Sequence, residues 1–239
     1  QSPNMAQVPA VYSPYGKECR GLWIVEKGYK LVGVDASGLE LRMLAHYMND
    51  KDYTNEVING DIHTSNQVAA GLGSRDEAKT FIYAFIYGAG NKKIGTIIGG
   101  SERDGERVKE KFLRATPSLR RLREKVERVA QRRWVRGLDQ RKIIIRHPHA
   151  ALNTLLQGAG ACVMKKALTI LQEYVINKQI KAFPVVNVHD EFQYEVQEDR
   201  ADEFGRLAVQ SIIDAGQQLN VRCQLNGEYK IGNNWSETH

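Results

Sequence analysis

Apolar and polar positions divide the chain into strand-like segments near its two ends and a long helical stretch between them. Residues 30–35 (KLVGVD) form a short apolar run that predicts a buried strand, and residues 37–47 then follow helical spacing. Residues 53–136 are mostly helical in pattern. Breaks in that pattern occur at Gly60, Gly71, Gly73, Gly88, Gly90, Gly99, Gly100 and Pro117.

The second half of the chain mixes both patterns. Helical spacing runs through residues 149–177 and 199–219. Strand patterns occur in residues 142–146, 184–196 and 222–231, and the last two allow either a strand or a hairpin. We therefore expect an α+β fold: an antiparallel sheet with flanking helices, interrupted by a helical insertion.

Composition excludes several classes of protein. With 239 residues, 42% hydrophobic and 26% charged, the chain is neither disordered nor fibrous and suffices for one large or two small domains. Its three cysteines are odd in number and lack CxxC spacing, which argues against a disulfide framework or structural zinc and fits a reducing cytosol. No apolar run approaches the roughly 18 residues of a membrane span, so no membrane partner is expected.

The net charge of +6 is unevenly distributed. Residues 103–146 contain 16 Lys or Arg against six Asp or Glu, so the rest of the chain carries −4. A concentrated basic segment suggests an element that faces a polyanion, although a solvated helical surface has equal weight from charge alone.

Two segments carry carboxylates that could bind a metal. In VGVDASGLELR, Asp35 ends an apolar strand just before a helix, where it is either a metal ligand or, with Ser37, a helix cap. In PVVNVHDEFQYEV, Asp190 shares sequence parity with Val186, Val188 and Phe192. Asp190 would then lie among apolar side chains on one face of a strand. Burying its charged carboxylate there costs free energy unless the carboxylate is paired or binds a cation. A turn at His189-Asp190 is the alternative.

Two helical segments carry polar side chains at regular spacing. In SRDEAKTFIYAFIYGAG, Ser74 and Glu77 suit a capping box, so we expect the helix to begin at Arg75 and to end at Gly88. Two cations and two tyrosines follow at steps of four, as a stripe suited to phosphate and stacked rings or as part of a core. The stripe consists of Arg75, Lys79, Tyr83 and Tyr87. The amides of Asn153 and Gln157 form a weaker signal in HPHAALNTLLQGAG.

Together these segments resemble the family A DNA polymerases, the DNA polymerase I class, and most of all the replicative polymerases of T-odd bacteriophages. DASGLELR is similar to motif A of that family, RDEAKTFIYAFIYG to motif B and VHDE to motif C. The order and spacing also agree, and the likeness extends from SPNMAQVP to GNNW.

The resemblance implies a template-directed DNA polymerase that extends a primer 3′-hydroxyl by two-metal-ion phosphoryl transfer. It implies that Asp35 and Asp190 bind two Mg²⁺ ions with the carbonyl of Ala36, and that Glu191 is an auxiliary catalytic carboxylate. It assigns Lys79 to protonation of pyrophosphate. Triphosphate and nucleotide contacts fall to His63, Arg75, Lys79, Tyr83 and Tyr87, and Glu40 excludes a 2′-hydroxyl. DNA contacts fall to Arg20, His149, Asn153, Gln157 and His189.

The resemblance also implies an organisation. Residues 1–50 and 142–239 match the palm and residues 51–141 the fingers, whereas the thumb and exonuclease domains of relatives are absent. The expected partners are primer-template DNA and deoxynucleoside triphosphates, with a processivity factor or the missing thumb and exonuclease polypeptide as further candidates. The expected location is the cytoplasm, of a bacterial host if a phage encodes the chain. A two-metal nuclease and a non-catalytic DNA-binding fragment are the alternatives.

Overall fold

The computed structural model describes residues 5–238, which form two compact units. The first unit combines the described residues up to Leu39 with those from Gly160 onward, and the second is Glu40–Ala159. The expected palm and fingers boundaries, after residues 50 and 141, stay a prediction. The SPN tripeptide at residues 2–4, used for the resemblance, lies outside the described residues.

Helices and strands follow one another in the order that the sequence patterns predict, except for the helix Gly16–Gly21, which no pattern predicts, and the strand Trp134–Arg136, which the patterns predict to be helical. The strands are β1 (Tyr29–Ala36), β2 (Trp134–Arg136), β3 (Lys142–Ile144), β4 (Ala182–Val188), β5 (Glu191–Gln197) and β6 (Gly227–Gly232). The helices are α1 (Gly16–Gly21), α2 (Leu39–Met48), α3 (Lys51–Asn59), α4 (Ile62–Ala70), α5 (Arg75–Ile86), α6 (Asn91–Ile97), α7 (Glu102–Ala115), α8 (Pro117–Ala130), α9 (Ala151–Asn177) and α10 (Ala201–Gln218). No helix within residues 5–238 is both long enough and apolar enough to cross a membrane.

The first unit is built on a four-stranded sheet in the order β4-β5-β1-β6, in which every neighbouring pair is antiparallel. One face carries Val34 opposite Phe192, and helix α10 packs against this sheet. The ring of Phe204 on α10 lies 5.0 Å from that of Tyr194 on β5. The expected α+β architecture with an antiparallel sheet and flanking helices is confirmed.

The hairpin from β4 to β5 corrects the predicted face of this segment. The pairing of Val188 with Glu191 leaves a two-residue turn at His189-Asp190, and His189 has a positive φ of 55°. Because this turn reverses the parity, Val188 lies on the side of Glu191, whereas Phe192 faces the α10 side with Val34. The alternative of a turn at His189-Asp190 is therefore confirmed, and the single strand with Asp190 among apolar side chains on one face is wrong.

Capped helices make up most of the second unit. Asp50, Asp61, Ser74 and Ser101 accept backbone hydrogen bonds at the starts of α3, α4, α5 and α7, and Pro117 begins α8. The core includes three rings in edge-to-face contact: Phe112 lies 5.2 Å from Phe81 and 5.5 Å from Phe85. The basic segment of residues 103–146 spans α7, α8, β2 and β3.

One predicted helical tail is a strand instead. Residues 134–136 pair with β3 and bury Val135, and Arg133 before them has a φ of 64°, which ends the helical path. In the predicted segment of residues 222–231 only the part from Gly227 onward is a strand, β6 (Gly227–Gly232), and no hairpin forms there.

Candidate active site

Carboxylates gather at one end of the sheet in the first unit. Asp35 on β1 lies opposite Glu191 of β5 on one side and Glu228 of β6 on the other. Directly opposed residues in antiparallel strands share a face, with Cβ atoms about 4.5–5.5 Å apart. Asp190 ends the adjacent turn, and its carbonyl oxygen accepts a hydrogen bond from the Ala36 amide at 3.0 Å. The predicted metal ligands Asp35, Ala36 and Asp190 thus lie together beside Glu191.

Negative charge is concentrated around Asp35. Loss of surrounding water, followed by the charges of Asp190, Glu191 and Glu228, raises the pKa of Asp35 to about 6. Lys230 opposes this shift, and the Asp35 side chain, although it has lost part of its surrounding water, still has an exposed surface one residue before the end of β1. The ionised cluster is therefore energetically unfavourable until a cation reaches it.

Replacing Asp35 by Asn is expected to stabilise the chain in the absence of metal. A carboxyl whose pKa is raised by folding destabilises the folded chain. This cost is fully present above about pH 6, shrinks as the pH falls, and is absent below the ordinary pKa of 3.8. Because solvent screens the exposed group, we expect only about 1 kcal/mol, or roughly 2–4 °C in Tm, at pH 8. Calorimetry in chelator at pH 8 and pH 4 checks the sign and its disappearance. Asp199→Asn, on the surface of the same unit, is the control; a lower Tm for Asp35→Asn at pH 8 contradicts the prediction.

The donor chemistry of the carboxylate cluster fits Mg²⁺. No group of three or more His, Cys, Asp and Glu side chains within residues 5–238 is arranged to hold a metal ion by itself. Mg²⁺ does not need one, since it usually keeps several waters and takes one or two carboxylates plus substrate phosphates. The raised pKa of Asp35 indicates that a nearby cation would be favoured.

A cationic cluster forms in the second unit, where α5 meets the start of α4. The Ser74 hydroxyl accepts from the Glu77 amide at 3.2 Å, so α5 begins at Arg75 as predicted. The Arg75 Nε donates to Asp61 Oδ2 at 2.6 Å, and this ion pair holds the pKa of Asp61 well below its usual range. Asp61 also caps α4 by accepting from the His63 amide at 3.1 Å. The cap thus fixes Arg75 beside His63.

The histidine of this cluster is electrostatically coupled to the predicted stripe. Burial, then the positive charges of Arg75 and Lys79, lowers the pKa of His63. The buried Nδ1 of His63 has no hydrogen-bond partner among residues 5–238, and its ring lies 6.2 Å from that of Tyr83. A neutral histidine beside two cations, one of them the exposed Lys79, provides donors and charge for an anion.

The other end of α5 holds Glu40. The Tyr87 hydroxyl donates to Glu40 Oε1, and the Gln157 amide donates to the same oxygen at 3.3 Å. Gln157 Nε2 is also 3.4 Å from the Tyr87 oxygen. Three predicted site residues, one each from α2, the end of α5 and α9, therefore form one polar group within the second unit.

The predicted DNA contacts are divided between the two units. Asn153 precedes Gln157 by one turn of α9, and its Oδ1 is buried without a hydrogen-bond partner among residues 5–238. The exposed His149 stacks on His147 with ring centroids 5.5 Å apart. In the first unit, His189 is exposed at the hairpin turn, whereas Arg20 is only 7% exposed.

Several residues of these sites were not predicted from the sequence. Asp61 has a local signal, because an Asp just before a helical segment is a preferred N-cap. Glu228 and Trp235 have none, since only the strand register brings Glu228 to Asp35 and only the folded chain brings the Trp235 indole within 2.9 Å of Glu191.

Comparison with known proteins identifies the family. Residues 1–237 match DNA polymerase family A, and the chain belongs to this family. Over alignments of 274 residues the chain is 42% identical to the DNA-directed DNA polymerases of Enterobacteria phage T3 and Escherichia phage T7, covering 99% of the chain. The chain spans only 38% of the length of these two relatives.

A solved structure shares the fold. The POL domain of Pol1 from M. smegmatis, in complex with DNA primer-template and dNTP, matches 99% of this chain and 45% of that chain. The TM-score is 0.88 at 20% sequence identity, which establishes a common fold.

Proposed function

We propose that the chain is the catalytic region of a DNA-directed DNA polymerase that adds deoxynucleotides to a primer 3′-hydroxyl. The observation that carries the proposal is the carboxylate cluster of Asp35, Asp190 and Glu191 on one sheet, at the positions of motifs A and C. Membership of family A and 42% identity to the phage T7 enzyme support it.

Asp35 and Asp190, with the Ala36 carbonyl, would hold two Mg²⁺ ions. When bound, the metal ions would lower the pKa of the primer 3′-hydroxyl and neutralise charge on the pyrophosphate leaving group. Glu191 would add negative charge beside these ligands and orient them.

In the second unit, Arg75, His63 and Lys79 bind the triphosphate of the incoming nucleotide, and Lys79 delivers a proton to the departing pyrophosphate. The ion pair of Arg75 with Asp61 supports this role, because it fixes the guanidinium at the start of α4. Tyr83 packs against the sugar and base of the nucleotide, and Tyr87 stacks near the templating position.

The DNA is read through its shape and its minor groove. Asn153 and Gln157 donate to acceptors that every base pair presents there, so they report correct pairing geometry. His149 and His189 contact the primer or template, and Arg20, only 7% exposed, lies near the nucleotide or template. Residues 1–50 and 142–239 form the palm and residues 51–141 the fingers, whose basic segment lies near template phosphate.

The polymerase acts on primer-template DNA in the cytoplasm, that of a bacterial host for a phage-encoded chain. A processivity factor or a thumb and exonuclease polypeptide is the further partner. Without such a partner, we expect the chain to bind duplex weakly and to extend primers distributively.

A primer-extension assay tests the function. The chain in excess over a labelled primer-template, with Mg²⁺ and dNTPs, should add the templated nucleotide and only a few more for each binding event. Shortening of the primer would indicate a two-metal nuclease, and DNA binding without incorporation would indicate a non-catalytic fragment. Long products under single-hit conditions would contradict the distributive expectation.

Tyr83→Phe is expected to increase discrimination against dideoxynucleotides. The Tyr83 hydroxyl can stand in for the missing 3′-hydroxyl near the phosphates, so the unaltered chain should use dideoxynucleotides within about tenfold of deoxynucleotides. Removal of the hydroxyl should lower their relative kcat/KM at least tenfold further, as measured by single-nucleotide incorporation. Tyr29→Phe, on β1 in the other unit, is the control. Equal discrimination by Tyr83→Phe and the unaltered chain would refute the role.

A further inference from the structure

Residues 235–238 cover the part of the carboxylate-bearing sheet face that holds Gly33, Glu191 and Gln193, and leave Asp35 exposed. Two residues before Asp35, Gly33 lies opposite Gln193 of β5 and Lys230 of β6. A Cβ atom on Gly33 would overlap the Gln193 side-chain amide and the carbonyl oxygen of Thr238. The absence of a side chain at Gly33 therefore leaves the space in which Gln193 and Thr238 lie.

A continuous chain of hydrogen bonds runs from these last residues to Glu191. The Trp235 indole Nε1 donates to Glu191 Oε1 at 2.9 Å, and the Gln193 amide donates to the same oxygen. The Thr238 hydroxyl donates to Gln193 Oε1 at 2.8 Å, which fixes the orientation of that amide. Glu191, Gln193, Trp235 and Thr238 are all 7% exposed or less. Hydrogen bonds between buried groups are costly to break, so the arrangement is rigid.

Arg20 packs against the Trp235 indole, next to this hydrogen-bonded group. Its guanidinium carbon lies 4.3 Å from the centroid of the Trp235 ring, and its Nε donates to the Pro9 carbonyl at 2.9 Å. Burial lowers the pKa of Arg20, and the negative charge of Glu191 opposes that shift. A buried carboxylate needs compensation of this kind, and Arg20 provides a positive charge on the far side of Trp235.

We propose that the segment Trp235–Thr238 positions Glu191 for catalysis. Two donors occupy Oε1, one directly from Trp235 and one from Gln193 under the control of Thr238, and together they fix the carboxylate beside Asp35. Trp235, Gln193 and Thr238 are positioning residues, because they act through Glu191. This inference rests on the proposed function, since it assigns these residues to the polymerase reaction.

Indole N–H resonances test the contact without any activity. The chain has three tryptophans, so loss of one cross-peak in Trp235→Phe assigns the Trp235 signal in a ¹⁵N-labelled sample. Glu191→Gln removes the charged acceptor and should move this signal upfield. Glu195→Gln is the matched control, because Glu195 lies on the same strand but its Oε1 accepts from the Glu26 amide at 2.8 Å. An unmoved signal in Glu191→Gln would overturn the proposal.

A double-mutant cycle separates positioning from general structural support. Trp235→Phe keeps an aromatic ring but removes the donor. It should lower kcat for nucleotide incorporation about tenfold and leave KM for the nucleotide unchanged, a loss of the size that follows removal of an outer hydrogen-bonding partner of a metal site. In a Glu191→Gln background, the same substitution should cause no further loss. Equal losses in both backgrounds would overturn the proposal. Trp23→Phe, at a 45% exposed side chain of the same unit, should leave kcat unchanged.

Thr238→Val keeps the test decisive if Trp235→Phe lowers the folded fraction. Valine has nearly the same shape as threonine, so Thr238→Val removes only the buried hydroxyl. It should reduce kcat severalfold in the unaltered chain but not in Glu191→Gln. If the unaltered chain incorporates no nucleotide, the proposed function fails, whereas the resonance of Trp235 still decides whether this segment holds Glu191.

Discussion

Alanine at Asp35 or at Asp190 is expected to abolish nucleotide incorporation while primer-template binding persists. The two carboxylates lie together at the end of the sheet, where the Ala36 amide donates to the Asp190 carbonyl at 3.0 Å. Each variant would remove a negative charge from the place where the metal ions are proposed to bind. We expect the single-turnover rate to fall by about three orders of magnitude or more, as with other preorganised electrostatic groups in active sites.

Asp199→Ala is the matched control, since it removes an exposed aspartate of the same unit that lies outside the carboxylate cluster. Fluorescence anisotropy with labelled primer-template measures binding, and calorimetry measures folding. The direction of the stability change strengthens the test: because the pKa of Asp35 is raised to about 6, loss of this charge should not destabilise the chain at neutral pH. Retained synthesis in either alanine variant would overturn the metal assignment.

Local signals predicted the elements of the fold well. The apolar run before Asp35 became β1, and the cap at Ser74 set the start of α5. The points that the sequence left open or predicted wrongly were those where a few backbone angles decided the outcome. The two-residue turn at His189-Asp190 reversed the side-chain parity of the hairpin, and the positive φ of Arg133 allowed residues 134–136 to pair as a strand.

The candidate site was predictable as a set of residues but not as a set of contacts. The motifs indicated Asp35 and Glu40 in one segment, Tyr87 in a second and Glu191 in a third. The hydrogen bond between Tyr87 and Glu40 joins residues 47 positions apart in the sequence. The hydrogen bond between Trp235 and Glu191 joins residues 44 positions apart. Contacts at such separation depend on strand register and helix packing, which no periodicity within one segment specifies.

Glu40→Ala is expected to admit ribonucleotides. The Tyr87 hydroxyl and the Gln157 amide both donate to Glu40 Oε1, so the carboxylate is held in one orientation in the first turn of α2. A 2′-hydroxyl brought against it would meet a filled space and would have to displace one of these bonds. Removing the carboxylate should reduce the preference for deoxynucleotides by roughly 10–100-fold, the range expected for such a pocket contact.

Tyr87→Phe tests the hydrogen bond that restrains Glu40 separately from the Glu40 carboxylate itself. It keeps the ring that limits the space but removes the hydroxyl donor, so Glu40 stays in place with only the Gln157 bond of 3.3 Å. Sugar discrimination is measured as the ratio of kcat/KM for matched deoxy- and ribonucleotides. We therefore expect the ratio for Tyr87→Phe to lie between the higher ratio of the unaltered chain and the lower ratio of Glu40→Ala. Glu110→Ala, on the surface of α7, should leave the ratio unchanged. If Glu40→Ala still rejects ribonucleotides as strongly as the unaltered chain, discrimination lies elsewhere in the nucleotide site, and the bond from Tyr87 serves only to fix the end of α5.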